Sequence, residues 1–154
     1  MASTSITPDR DAVVSEIEIS APPQRVFQAL IEREQALQWG RSDAFEITEW
    51  EMDARPGGKW RFSSRERKAG GKVFDHKGEI LEIDPPRLLA YTWTASWQPN
   101  PSQISTVRWE LKPTKVGTWV KLTHSGLKQI PGACEGYSQG WPGLLQQIRN
   151  FVEK

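Results

Sequence analysis

Two histidines, one cysteine and two closely spaced glutamates are the side chains best placed for acid–base or nucleophilic chemistry in this 154-residue chain. Free histidine titrates near neutral pH, so His76 or His124 could serve as an acid or base, or orient a ligand's polar group. Each reads more readily as a hydrogen-bonded core histidine. Glu79 and Glu82 are three residues apart, which puts them on opposite faces of a regular strand. They read as solvated or ion-paired carboxylates rather than a catalytic pair. Cys134 precedes the last helical segment with no base or cation marked out for it, and reads as a structural thiol. With two histidines on distant strands and one cysteine there is no ligand-spaced pair, so neither a metal nor any other cofactor is expected. The chain contains no G-x-G-x-x-G and no G-x-x-x-x-G-K, so dinucleotide use has no support.

Composition narrows the field further. A chain of this length makes one domain and buries roughly 70% of its unfolded surface, enough for a core without disulfides or metal. The formal net charge of +1 favours neither nucleic acid nor an anionic membrane. No run approaches the ~20 apolar residues of a membrane span, and Met1 to Asp11 lacks the apolar centre of a signal peptide. A single cysteine fits a reducing, cytoplasmic setting. Residues 1–12 are expected to be a flexible tail and 13–154 the domain.

The elements that must position these residues follow from periodicity. Val13, Ile17 and Ile19 alternate with Glu16 and Glu18, a half-buried strand. Ser20-Ala21-Pro22-Pro23 opens a helix with Ser20 as cap, and Val26, Phe27, Leu30 and Ile31 form its stripe; a short second helix runs to Trp39-Gly40. Six strands follow. Segments 47–53 and 58–65 meet across Arg55-Pro56-Gly57-Gly58. The register that sets Asp53 opposite Lys59 and Glu51 opposite Arg61 also sets Met52 opposite Trp60 and Trp50 opposite Phe62, with charges outside and aromatics inside. This pairing accounts for much of the acidic bias of residues 1–54 and the basic bias of the remainder. Phe74, His76, Gly78 and Ile80 share a face, and a bulge near Leu81 is needed to turn Leu81 and Ile83 inward without burying Glu82. Leu89, Tyr91, Trp93 and Trp97 share a face of the next strand. Val107, Trp109 and Leu111 point inward, then Val120, Leu122 and His124. Tyr137, Trp141, Leu144, Leu145, Ile148, Phe151 and Val152 fit one helix stripe, with a kink, break or late start expected near Pro142.

Eight tryptophans against two tyrosines is an unusual aromatic balance. Trp50, Trp60, Phe62, Phe74, Tyr91, Trp93, Trp109 and Trp141 all fall on inward positions. They are expected to line an apolar cavity together with His76 and His124; the competing expectation is that they fill a solid core. Arg65, Arg67, Lys68, Lys72 and Lys77 crowd one hairpin and read as a solvated tip rather than an anion site.

In order and spacing the chain resembles the SRPBCC (START-like) superfamily, in the branch similar to the C-terminal domain of the activator of heat-shock protein 90 ATPase. The resemblance is carried by Ser20-Ala21-Pro22-Pro23 with Val26-Phe27-Gln28-Ala29-Leu30, by Trp39, and by Arg55-Pro56-Gly57-Gly58-Lys59-Trp60. Gly78-Glu79-Ile80, Asp84-Pro85-Pro86-Arg87, Leu89 with Thr92-Trp93, Leu122 to Leu127, and Gly140-Trp141 with Leu145 complete it. It implies an α+β helix-grip fold: a curved seven-stranded antiparallel sheet around a long C-terminal helix, two short helices between strands 1 and 2, and a cavity between sheet and helix. It carries no catalytic motif.

Three functions fit these readings. The first is non-catalytic binding of a small apolar or aromatic molecule. The second is a co-chaperone-like protein-interaction domain acting on heat-shock protein 90. The third is a cavity enzyme of cyclase, dehydratase or hydrolase type. A homodimer through an edge strand or an aromatic patch is compatible with all three.

Overall fold

The computed structural model describes residues 2–154, so Met1, the first residue of the expected tail, lies outside them. The elements are β1 (Ser3–Ile6), β2 (Val13–Ile19), α1 (Pro23–Ile31), α2 (Arg33–Trp39), β3 (Phe45–Met52), β4 (Lys59–Glu66), β5 (Val73–Asp84), β6 (Leu88–Ala95), β7 (Ser105–Pro113), β8 (Thr118–Ser125) and α3 (Ala133–Val152). All strands form one antiparallel sheet in the order β1-β2-β8-β7-β6-β5-β4-β3. The two short helices carry the chain from β2 to the far edge at β3. The meander then returns strand by strand until β8 closes on β2, with Ile17 opposite Val120 and Val13 opposite His124. The α+β helix-grip architecture is as expected, with eight strands rather than seven. The extra one is Ser3–Ile6, inside the segment expected to be a tail, where Thr4 and the buried Ser15 share a side-chain hydrogen bond of 2.8 Å.

The β3–β4 register matches the charge argument: Met52 faces Trp60, Glu51 faces Arg61 and Trp50 faces Phe62. On the outer face Arg61 bridges Glu49 and Glu51 at 3.2 and 3.1 Å. Asp53 faces Lys59 as well, its N–H donating to the Lys59 carbonyl at 2.9 Å, while their side chains pair with Arg55 and Glu79 instead. Exposed pairs of this kind are screened by water and add little stability, so they bear on the register more than on the stability.

Three local expectations are corrected. Ser20 does not cap α1; Pro22 takes that place without a side-chain bond, and the Ser20 N–H instead donates to the Glu153 carboxylate beyond the end of α3. The β5 bulge falls between Ile80 and Glu82 as expected, but Leu81 is its extra residue and is 47% exposed, leaving Ile83 alone to turn inward. Pro142 does not break α3. The helix runs continuously across it, because Ala133, Cys134 and Trp141 bury the first half and Leu145, Ile148 and Val152 the second. That burial outweighs the one backbone bond that proline removes.

Gly78 marks the tightest point of the sheet. Trp60 sits opposite it, and the indole N–H passes over Gly78 to the Thr92 carbonyl at 2.9 Å, while the Glu79 N–H turns to the Thr92 hydroxyl. Two side chains thus fill a gap in the β5–β6 ladder, and a Cβ at position 78 would collide with the Thr92 carbonyl oxygen and stand 2.6 Å from the indole nitrogen. Gly136, in α3, is the opposite case, since nothing lies within 4 Å of an added Cβ. Urea denaturation is expected to show Gly78→Ala losing about 3 kcal/mol or more through overpacking and the lost indole bond. Gly136→Ala should gain about 0.5–1 kcal/mol from helix propensity.

Candidate functional site

The concave face of β3–β6 is lined with aromatic rings because inward positions alternate along each strand. Phe62 stacks on His76 with ring centres 4.3 Å apart and planes 10° apart. Trp93 is the hub, with centroid distances of 4.9 Å to His76, 5.5 Å to Trp141 and 5.9 Å to Tyr137. Over this floor lies the first half of α3, and beside it the α2–β3 connection. Together they leave a cavity of about 330 Å³. Phe62, Ser64, His76 and Trp93 form its floor, Tyr137, Gly140, Trp141, Leu144 and Gln147 its helical wall, and Gly40, Ser42, Phe45, Glu46 and Ile47 its rim. Deeper in, a hollow of about 40 Å³ lies among Trp39, Trp50, Tyr91 and Trp109, and it shares the side chains of Phe62, Trp93 and Trp141 with the larger cavity.

The residues singled out from the sequence therefore divide. Phe62, His76, Trp93 and Trp141 line the main cavity, and Trp50, Tyr91 and Trp109 the inner hollow. Three lie elsewhere. Trp60 packs against Phe62, Tyr91 and Trp93 but lines neither space, because its indole is drawn to Thr92. Phe74 lies toward the sheet's end against Phe45, at 6.3 Å. His124 is fully buried behind Trp141 and Tyr137. Trp97, expected on the face of Trp93, lies beyond the end of β6, 38% exposed and 5.9 Å from Tyr137.

Tyr137, Leu144 and Gln147 are wall residues that the sequence reading did not single out as a site. Tyr137 and Leu144 belong to the helical stripe but point to the cavity, whereas Leu145, Ile148 and Val152 point to the core. An apolar stripe too wide for one contact face was the signal.

The other candidate groups lie outside. Cys134 is buried, its thiol donates to the Arg10 carbonyl at 2.9 Å, and burial pushes its pKa up, the reverse of an activated nucleophile. Glu79 pairs with Lys59, and Glu82 with Arg108 at 3.3 Å. In the basic hairpin Arg65 holds Glu46 at 2.6 Å, and Arg67 donates to the Ser42 carbonyl. Among the described residues, no group of three or more His, Cys, Asp or Glu side chains is placed to hold a metal ion, and no helix is long and apolar enough to cross a membrane.

The sequence model of the family described as Activator of Hsp90 ATPase homolog 1-like protein matches residues 20–153. The chain belongs to this family. Solved structures agree with that membership. A Chromobacterium violaceum protein, 25% identical, superposes with a TM-score of 0.81 over 94% of this chain and 99% of its own. A Mesorhizobium loti protein, 26% identical, gives 0.72 over 92% and 96%. An AHSA1-like protein from Aeromonas hydrophila, 20% identical, shares the fold with a TM-score of 0.74 over 92% of each chain. Among curated proteins no relative matches.

In this Hsp90-activator-like chain the two histidines have different surroundings. The Trp141 indole can only donate, so its 3.1 Å bond makes His124 Nδ1 an acceptor and places the proton on Nε2. Nε2–H then donates to Ser105 Oγ at 2.8 Å, and the serine hydroxyl donates to the Trp93 carbonyl at 3.3 Å. Both ring nitrogens of His124 are occupied, and burial pushes its pKa down to about 3, with the proximity of His76 adding to the effect. His76 is pushed down to about 4 by burial, opposed by Asp75, and its Nδ1 has no hydrogen-bond partner. Trp50 Nε1 likewise has none. These two are the only buried side-chain nitrogens or oxygens left unpaired among the described residues, and they lie on residues that line the two linked spaces. Leaving such an atom unpaired costs roughly 1–3 kcal/mol.

Both histidines have a folded pKa below the ordinary 6.5, so the unfolded chain binds protons more readily. Their contribution is complete above pH 6.5 and is lost as pH falls toward about 4 for His76 and about 3 for His124. Unfolding free energy measured in urea is expected to fall by up to about 2.7 kcal/mol per pH unit in that window. His76→Phe should roughly halve the slope between pH 6 and pH 4.5.

Proposed function

We propose that this protein binds a small apolar or aromatic molecule, without transforming it, in the cavity between the sheet and α3. The observation that carries this reading is about 330 Å³ of space walled by Phe62, Trp93, Tyr137 and Trp141 over the concave face of the sheet. The volume is at the lower end of ligand pockets. At about 30 Å³ per atom, the share of a water in the liquid, it holds roughly ten non-hydrogen atoms or somewhat more. Burying about 200 Å² of aromatic surface is worth roughly 5 kcal/mol, from which the costs of association are subtracted. Non-catalytic binding is favoured over turnover because His124 is tied at both nitrogens and His76 is a weak base with nothing to orient it.

Trp93 and Trp141 report on the site, so quenching or blue-shift of tryptophan emission, titrated with a panel of mono- and bicyclic aromatics and short lipids, should saturate for some members. Leu144→Trp fills the cavity from the helical wall and should abolish that saturation while leaving the thermal midpoint within a few degrees. A panel with no saturable response, or one whose response survives Leu144→Trp, would falsify the reading.

The family's description supplies a second reading, in which the domain acts on the host's heat-shock protein 90. Affinity capture of that chaperone followed by its ATPase assay is the test. Neither capture nor a change in ATPase rate would remove this reading.

A further inference from the structure

The unspent hydrogen-bonding groups in the cavity specify its ligand more closely than its volume does. Tyr137 accepts the Trp93 indole N–H at 2.8 Å, and its own hydroxyl proton is left without an acceptor. His76 Nδ1 is buried without a partner, among the described residues no group bonds its Nε2, and a neutral imidazole offers one donor and one acceptor. Both rings pack against Trp93 in the wall of the same space. The lining contains no lysine or arginine, so an anionic ligand would meet no counter-charge there. Its one carboxylate, Glu46, is committed at the rim to Arg65 and Arg41, so a cation would meet no free partner. An anion moved from water into such a space loses its hydration with nothing to replace it, and a cation exchanges its water for ring faces alone, without a carboxylate.

We infer that the cavity takes an uncharged aromatic molecule carrying a hydroxyl or carbonyl oxygen, with His76 and Tyr137 as the residues that select that oxygen. This rests on the binding reading above and adds charge and polarity to it. The flat ring lies among Phe62, Trp93 and Trp141, and the oxygen accepts from Tyr137 or exchanges a hydrogen bond with His76. Burial keeps His76 neutral across the physiological range, so it does not supply the positive charge that a carboxylate would need.

Four probes of nearly equal size decide it by isothermal titration at neutral pH: 2-naphthol, naphthalene, 2-naphthoate and 2-naphthylmethylammonium. Naphthol is expected to bind about fivefold tighter than naphthalene, and each charged probe at least about tenfold more weakly than naphthol. His76→Phe keeps the ring packing and removes only the polar atoms, so it should bring naphthol down toward the affinity of naphthalene while leaving naphthalene unchanged. Tyr137→Phe also removes the acceptor of the Trp93 indole N–H, so its readout is the naphthol-to-naphthalene ratio, which should fall even where both affinities shift, and circular dichroism on the same samples verifies that each variant is folded. If naphthoate or the ammonium binds as tightly as naphthol, or if neither variant alters the naphthol-to-naphthalene ratio, this inference is wrong and the cavity reading survives. If none of the four binds, the cavity reading itself fails and takes this one with it.

Discussion

The structure depends on how the first half of α3 is tied to the sheet. Two indole N–H groups do it: Trp141 donates to His124 on β8, and Trp93 on β6 donates to Tyr137 one helical turn earlier. Ser105 completes the circuit by linking His124 to the Trp93 carbonyl. Buried polar bonds of this kind are costly to leave unmade, so they fix position more firmly than apolar contact alone would. With the helix tethered at Tyr137 and Trp141, its next cavity-facing residues, Gly140 and Leu144, are held off the sheet rather than packed down on it. The open volume follows from where those bonds are placed.

The same circuit separates the two histidines. Both fall on inward positions of the alternation, and the sequence offers the same two options for each. What distinguishes them is the partner across the interior. His124 faces the tryptophan and the serine that use up its nitrogens, whereas His76 is stacked between rings that have nothing to offer it. One is tied into the fold through both nitrogens, and the other is a polar ring packed against an apolar wall with its Nδ1 unpaired.

Much of the fold could be read from the chain, and the limits of that reading have physical causes. The β3–β4 register was legible because charge and aromatic patterns agree only in one alignment. The bulge at Leu81 was legible because Glu82 could not be buried, yet the side on which Leu81 itself would lie depended on β6. The strand at Ser3–Ile6 has too little apolar content to announce itself, since it exists by completing the backbone bonds of β2. Pro142 argued locally for a break that burial on both sides of it overrides. For the site, alternation gave the face but not the depth. Trp60, Phe74 and His124 share parity with true wall residues, and where each stands along the sheet, or behind the helix, is set by contacts far away in the sequence. Tyr137 was hidden because a stripe on a helix does not say which part of it meets a core and which part meets a void.

The pairing of β2 with β8 has a consequence for how this protein comes into being. The first long strand of the sheet has as its neighbours only a four-residue edge strand and a strand near the chain's end. A nascent chain emerging from the ribosome can assemble the β3–β8 meander step by step from adjacent hairpins. Its N-terminal segment must meanwhile hold Val13, Ile17 and Ile19 without a partner until β8 and α3 arrive. Closing so long a loop is entropically expensive and slow relative to hairpin formation. The helical wall of the cavity and the partner strand of β2 both come late in the chain, so neither the cavity nor the closed sheet exists before they are made, and until then the chain exposes the strand most in need of protection.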